Sequence, residues 1–293
     1  MRVTNNIIQS NATLAMQLNL QRMAQAQTQA SSGQKYASFA EDPHAQSQVM
    51  QTSGSLRALE QYKRNVDDAT ARANMEDSIL QQLTDTLDRA RDVASQQGSA
   101  TASASTRASA KAEVDNLIDF VVGLGNTKYQ NEYLFGGNDV TNPPVTNTAP
   151  FYTAAAPSGA HTTEISAGQQ FKSNHNAKEL LLDTGTLQAL KNLSTALGSN
   201  DTAGIGAAIG ALGNANLGVQ ALVGDIGARQ NQLEVTSANL DALKANLTTF
   251  KSNLSEVDQE TAITNLVARQ TAYQSAMLAT SRVIGMTLTD YLR

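Results

Sequence analysis

The stretch GARQNQLEVTSANLDALKANLTTFKSNLSEVDQETAITNLVARQTAYQSAMLATSRVIG, residues 227–285, has no proline, and no glycine between the two that bound it. As one α-helix it would run roughly 85 Å at 1.5 Å per residue, far beyond an ordinary domain helix. Its apolar residues Leu233, Leu240, Leu243, Leu247, Phe250, Leu254 and Val257 recur at steps of three, four and seven. That spacing lays one helix lengthwise against another. After Val257 the phase slips, and a second stripe begins with Ile263, Leu266, Tyr273, Met277, Ile284, Leu288 and Tyr291. The slip predicts a bend or a change of partner near Asp258. A helix of this kind needs a long partner from elsewhere in the chain.

The partner is found between Gly54 and Gly98, where Leu59, Tyr62, Val66, Ala69, Ala73, Leu80, Leu83, Leu87, Ala90 and Ala94 keep the same rhythm and only Glu76 is polar. Two stripes of matching length predict an antiparallel pair. Upstream, residues 1–32 lack glycine and proline and place Leu14 and Leu18, and Met16, Leu20 and Met23, on overlapping faces. Such a helix is marginal in water until its apolar faces are covered. Gly33 ends it, and Asp42 before Pro43 is a start signal for the next helix. A third helix spans Arg107 to about Asn126 and returns as an αα-hairpin.

Beyond Asn138 four of the five prolines fall before Ser158, and Thr162–Ile165 reads as strand, so helices stop. They resume at Thr186 with Leu187, Leu190, Leu193 and Leu197, followed by a glycine- and alanine-rich stretch up to Gly227. The expected fold is mainly α: a long antiparallel helical bundle formed by N- and C-terminal segments, with a small β-containing insert. Three parts follow. Residues 1–44 with 254–293 are terminal helices, residues 45–138 with 184–253 the long bundle, and residues 139–183 the insert.

Composition excludes several functions. Charged residues make up 16% and aromatic residues 4%, which suits apposed helices better than an aromatic-lined pocket. The net charge is −5 and the basic residues are scattered singly, so no nucleic-acid partner is expected. Without cysteine there is neither disulfide nor thiolate metal site. The N-terminus lacks a cleavable signal pattern, and the apolar run 203–213 is too short to enter a membrane. Gly204-Ile-Gly206-Ala-Ala-Ile-Gly210 has a dinucleotide-loop look, but Ser199-Asn200-Asp201 precedes it, which reads as a helix cap, not a strand. The small residues are expected to let two helices approach closely. His44, His161 and His175 are read as solvated loop histidines, and the pair His161 and Glu164 lacks a third ligand nearby. Asp67 and Asp68 are read as a solvated face. No catalytic, cofactor-binding or metal residues are assigned.

Several strings resemble one family. Ala30-Ser31-Ser32-Gly33-Gln34-Lys35 followed by Glu41-Asp42-Pro43 is similar to the N-terminal signature of bacterial flagellins. Ile226-Gly227-Ala228-Arg229-Gln230-Asn231 and Leu254-Ser255-Glu256-Val257-Asp258 are similar to their C-terminal segments. Tyr133-Leu134-Phe135-Gly136-Gly137 and the ending Leu288-Thr289-Asp290-Tyr291-Leu292-Arg293 look like the hook-associated branch of that family. Glu41 and Thr287-Leu288-Thr289 are small departures.

The resemblance implies a structural, non-enzymatic protein without cofactors, exported through the flagellar type III apparatus and located extracellularly where hook meets filament. It implies four partners: neighbouring copies of the chain, an adjacent hook-associated protein, flagellin, and an export chaperone at the C-terminal helix. It also makes Leu14, Leu18, Met23, Ile263, Leu266, Tyr273, Met277, Ile284, Leu288, Tyr291 and Leu292 the expected assembly interface. The unmatched apolar faces predict that residues 1–44 and 254–293 stay disordered in the monomer and order on assembly, which suppresses premature polymerisation. A filament-forming flagellin is the alternative within the family, and a free-standing helical binding protein the alternative outside it.

Overall fold

The computed structural model describes residues 2–36, 38–99, 102–152 and 156–291, with the side chains of 2–6, 8 and 283–291 outside that description. Along the chain lie α1 (Arg2–Ser32), α2 (Pro43–Gln97), α3 (Ala104–Gly125), β1 (Lys128–Tyr129), β2 (Glu132–Tyr133), β3 (Thr162–Ser166), β4 (Gln169–Lys172), a π-helical turn (Lys178–Leu182), α4 (Thr186–Gly198), α5 (Thr202–Ser255) and α6 (Gln259–Tyr291). Two compact units are present. Residues 1–58 and 242–293 form one, and residues 59–241 the other.

In the second unit, α2 and α5 run antiparallel. Lys63 Nζ donates to Asp241 Oδ2 at 2.8 Å, Gln230 Nε2 to Asn74 Oδ1 at 3.1 Å, and Asn216 Nδ2 to Asp88 Oδ1 at 2.9 Å. These polar rungs flank the seam. Between them are buried Leu59, Val66, Ala69, Ala73, Leu80, Leu83, Leu87, Ala90 and Ala94 of α2, and Ile205, Ala208, Leu212, Ala215, Val219, Ile226, Leu233 and Leu240 of α5. Both sets step by three and four, the repeat that keeps a seam facing its partner over many turns. The α2 stripe is the one legible in the sequence.

α5 differs from the sequence reading at its start. It does not begin near Gly227: the glycine-rich stretch is its first half. Asp201 caps it by accepting from the Ala203 N–H at 3.0 Å. The glycines do not serve a close helix crossing, because a side chain at Gly206, Gly210 or Gly213 would meet nothing within 4 Å. Only Gly204, against Asp201 and the Ala196 Cβ, and Gly218, against Thr184, sit in tight places. The helix persists because Ile205, Leu212, Val219 and Ile226 are fully buried at heptad spacing. Each such burial is worth about 1.5–3 kcal/mol, against about 1 kcal/mol lost per helical glycine. At the other end, Glu256–Asp258 separates α5 from α6, where the phase slip was read.

α3 and α4 complete the helical part of this unit. Ser103 caps α3 by accepting from the Thr106 N–H at 3.2 Å. Ser194 of α4 donates to Asp115 of α3 at 2.5 Å. Arg107 is 4% exposed and closes the far end of α2, its Nε donating to the Gln97 carbonyl at 3.1 Å and Nη2 to the Ser99 carbonyl at 2.8 Å. A cation at a helix C-terminus meets the negative end of the dipole.

The strands form two antiparallel hairpins, β1–β2 and β3–β4. The run 133–137 joins them to the helices. Leu134 and Phe135 are buried, the Ala177 N–H donates to the Phe135 carbonyl at 2.8 Å, and Gly137 bridges Ser158. Of the groups read as solvated, Asp67 is exposed, but Asp68 is half-buried and His175 is buried. Asp68 accepts from Arg72 Nε at 3.0 Å and from the Tyr129 hydroxyl at 3.1 Å, because β1 lies over that face of α2. His175 is 5% exposed, with Nδ1 2.6 Å from Glu76 Oε1 and Nε2 3.0 Å from Asp225 Oδ2. That contact accounts for the one polar residue in the α2 stripe. His161 is half-buried against Ser173, and burial first, then the Arg72 guanidinium, pushes its imidazole below the usual range. His44 alone is exposed as expected.

Candidate assembly site

The first unit is built from the two ends of the chain. α1 and α6 pack antiparallel along their length, with Gln259 Nε2 donating to the Ala30 carbonyl at 3.2 Å and the Thr280 hydroxyl lying 3.5 Å from the Ala12 carbonyl. Their shared seam is Met16, Met23 and Ala26 on α1, and Ala262, Leu266, Tyr273 and Thr280 on α6. Only Ala26, Ala262 and Thr280 among these are buried, so the seam is thin.

A second stripe on each helix faces away from it. On α1 it is Ile7, Leu14 and Leu18, exposed by 52%, 55% and 43%. On α6 it is Ile263, Val267, Met277 and Leu278, exposed by 51%, 56%, 45% and 64%. Leu243 and Phe250 of α5, read from the sequence as part of the long seam, are also open at 46% each. They lie one three-residue step off the line that runs from Leu240 through the half-buried Leu247 and Leu254. Large apolar side chains at helical spacing, uncovered together, are the mark of a surface meant for another protein.

The residues proposed from sequence as one interface thus divide in two. Met23, Leu266 and Tyr273 are half-covered within the α1–α6 pair, while Leu14, Leu18, Ile263 and Met277 are open. The side chains of Ile284, Leu288 and Tyr291, and Leu292 as a whole, lie outside the described residues. Ile7, Val267 and Leu278 were missed. Their spacing to Leu14 and to Ile263 was visible, but two overlapping stripes on one helix cannot be told apart until the partner helix is placed.

The motif residues converge on the breaks between helices. Gly33 ends α1 with φ +70°, a left-handed conformation that glycine adopts without strain. Beyond it, the Lys35 N–H donates to the Ser255 carbonyl at 2.8 Å and the Val257 N–H to the Gly33 carbonyl at 2.9 Å. Gln34 and Glu256 thereby form an antiparallel bridge. Ser32 accepts from the Gln34 N–H at 3.2 Å, and Lys35 Nζ donates to the Asn253 carbonyl at 2.5 Å. Two strings more than two hundred residues apart are therefore one clasp, holding the end of α1 to the joint between α5 and α6.

Each break is also capped. Asp42 accepts from the Ala45 N–H at 2.9 Å and starts α2 at Pro43. That backbone donor first, then, against an opposing desolvation, the Tyr36 hydroxyl and His44 hold its carboxyl below the usual range. Asp258 accepts from the Glu260 N–H at 3.0 Å and starts α6. The other motif residues belong to the second unit: Tyr133 to Gly137 where the hairpins meet the helices, and Gly227 and Asn231 within α5, with Asn231 exposed.

No group of three side chains suited to a metal ion is present among the described residues, and no helix there is long and apolar enough to cross a membrane. The features that converge are helix breaks and open apolar stripes at the two chain ends. Models of the bacterial flagellin N-terminal helical region and C-terminal helical region match residues 3–139 and 209–292. The chain belongs to the bacterial flagellin family.

The chain is 25% identical to flagellar hook-associated protein 3 of Escherichia coli over 285 residues, 89% of this chain and 90% of that one. Among solved structures, a hook-associated protein of Vibrio parahaemolyticus matches 74% of this chain and all of its own, with a TM-score of 0.68 at 18% identity. FlgL of Bacillus cereus matches 69% of this chain and 98% of its own, with a TM-score of 0.60 at 23% identity. At these identities the two structures are alike in fold.

Proposed function

We propose that the chain is a structural subunit of the bacterial flagellum that joins hook to filament, assembling through its two terminal helices. The observation that carries this is the pair of open stripes, Ile7, Leu14 and Leu18 on α1 and Ile263, Val267, Met277 and Leu278 on α6, in a flagellin-family chain similar to a hook-associated protein along most of its length. The stripes sit beside a thin seam, so the terminal helices gain most of their burial from neighbouring subunits. In the free monomer residues 1–44 and 254–293 exchange with unfolded chain, and the ordering cost is met on polymerisation.

The partners of this reading are neighbouring copies of the chain, an adjacent hook-associated protein, flagellin, and an export chaperone that covers the C-terminal helix before secretion. Export passes through the flagellar type III apparatus. The role is structural, with no catalysis and no cofactor.

Immunogold labelling of isolated flagella with antibody to residues 139–183 tests the location. A single band where hook meets filament is expected, and label along the whole filament would make the chain a flagellin. A paired substitution tests the interface. Met277→Asp is expected to leave the α1–α6 helices as stable as in the wild type while blocking incorporation into flagella. Leu266→Asp is expected to unpair those helices already in the monomer. Incorporation of Met277→Asp at wild-type levels would refute the assignment of the open stripe.

A further inference from the structure

Unit two contains a linked row of charged groups. Glu76 lies mid-helix on α2 and is fully buried, 0% exposed, among alanines and leucines. A carboxylate there needs a partner, since a lone buried charge is strongly destabilising. The partner is His175, from the segment that follows β4. Its backbone N–H lies 3.3 Å from both Glu76 oxygens, and its Nδ1 lies 2.6 Å from Oε1. The opposite ring nitrogen, Nε2, lies 3.0 Å from Asp225 Oδ2 on α5. The same Asp225 oxygen accepts from Arg229 Nε at 2.6 Å, and Arg229 Nη1 donates to the Lys172 carbonyl at 2.8 Å.

We propose that His175 is doubly protonated in the folded chain and acts as a charged rivet between Glu76 and Asp225, so that the strand-bearing segment stays closed on α2 and α5 only while that proton is present.

The hydrogen-bond inventory carries the charge state. The His175 backbone N–H faces both Glu76 oxygens and Arg229 donates to Asp225, an arrangement that suits two ionised carboxylates. An imidazole between two acceptors must donate from both nitrogens, which only the imidazolium does. The groups that face it are Glu76 from α2, Asp225 and Arg229 from α5, Lys172 from β4 and Glu179 from the π-helical turn. Burial pushes the Glu179 carboxyl up, but the Lys172 ammonium and the Asn176 N–H hold it below the usual range. Lys172 Nζ donates to both Glu179 oxygens at 2.9 Å, which leaves Glu179 satisfied without His175.

The device has a direction. Removing the proton costs the segment one of its two ring hydrogen bonds and leaves Glu76 buried with no opposing charge. Loss of that proton therefore opens residues 158–176 from the helix pair, and its return recloses them. The α2–α5 seam, held by aliphatic burial, is unaffected.

Nitrogen NMR of the full-length chain labelled at histidine tests the charge state directly. Both ring nitrogens of His175 are expected to carry protons at neutral pH, and a single bare nitrogen there would overturn the proposal. Variants test the consequence. His175→Gln, which can still hydrogen-bond, is expected to speed amide exchange in residues 158–176 by about tenfold or more, because it leaves the Glu76 charge unmatched. Adding Glu76→Gln to it is expected to return exchange to within about threefold of wild type, as a neutral pair has no buried charge to balance. Exchange in the double variant as fast as in the single one would likewise refute the rivet.

Discussion

Replacing Gly137 by alanine tests how the 133–137 run holds the hairpins to the helices, and Gly168 supplies a matched control. Both residues have left-handed backbones, with φ +67° and +73°. Alanine at either therefore carries the same conformational strain, about 1–2 kcal/mol. They differ in what the new methyl meets. At Gly168, in the turn between β3 and β4, there is nothing within 4 Å. At Gly137 the methyl would lie 2.2 Å from the Ser158 carbonyl oxygen and 2.9 Å from its carbon. Those are backbone atoms, and no rotamer can move them away. Relief means parting the bridge between Gly137 and Ser158 and stretching the 2.8 Å bond from the Asn138 N–H to the Ser158 carbonyl.

The further loss is about 1 kcal/mol for that hydrogen bond and about 1–2 kcal/mol for disturbed packing at the fully buried Phe135. Gly137→Ala should thus cost about 2–3 kcal/mol more than Gly168→Ala. Amide exchange followed by mass spectrometry on the full chain reads this locally, in peptides covering Asn138 and Ala177, whose N–H groups bond to Ser158 and Phe135. Equal losses of protection in the two variants, within about 0.5 kcal/mol, would show that the close approach at Gly137 does not support the fold.

Two further outcomes follow from the same structure. Gly210→Ala, at an exposed helical position with nothing within 4 Å of the new methyl, should stabilise unit two by about 0.5–1 kcal/mol in urea unfolding. A loss of stability would place a close neighbour there. Asp139 is held down to about 2 by the Asn142 side chain first, then by the Thr141 hydroxyl and the backbone N–H groups of both. The turn it organises is therefore fully supported above the ordinary aspartate range and loses that support as the pH falls toward about 2. Carboxyl-carbon NMR should place its midpoint there, and a midpoint at the ordinary aspartate value would show that the turn is not formed.

Much of the helical scaffold was legible before any coordinates. The α2 stripe from Leu59 to Ala94 is read correctly because every third or fourth residue is apolar over ten turns, and no other regular structure has that period. The caps at Asp42 and Asp201 are local chemistry and are equally visible. The first half of α5 was not legible. Seven glycines from Thr202 to Gly227 inclusive weaken local helix preference, and what overrides them is burial of Ile205, Leu212, Val219 and Ile226 in the core of unit two, which no local window contains. The half-open Leu243 and Phe250 are the converse error: an apolar stripe read as seam because sequence spacing does not say which side the partner is on.

His175 shows the same limit in the polar groups. Glu76 stood out as the one polar residue in an apolar stripe, and His175 as an isolated histidine in a segment rich in polar residues. Ninety-nine positions separate them, and their pairing follows only once β4 turns the chain back onto α2 and α5.

The sequence by itself determined the helical period, the caps at Asp42 and Asp201, the break near Asp258, and the motif strings that mark the flagellin family, because all of these are set by residues within a few turns of one another. Tertiary structure alone decided which stripes are filled and which are left open on α1 and α6, and which charges are buried in company. Those depend on what lies across the seam, and a side chain's surroundings are set by contacts whose distance along the chain carries no local signal.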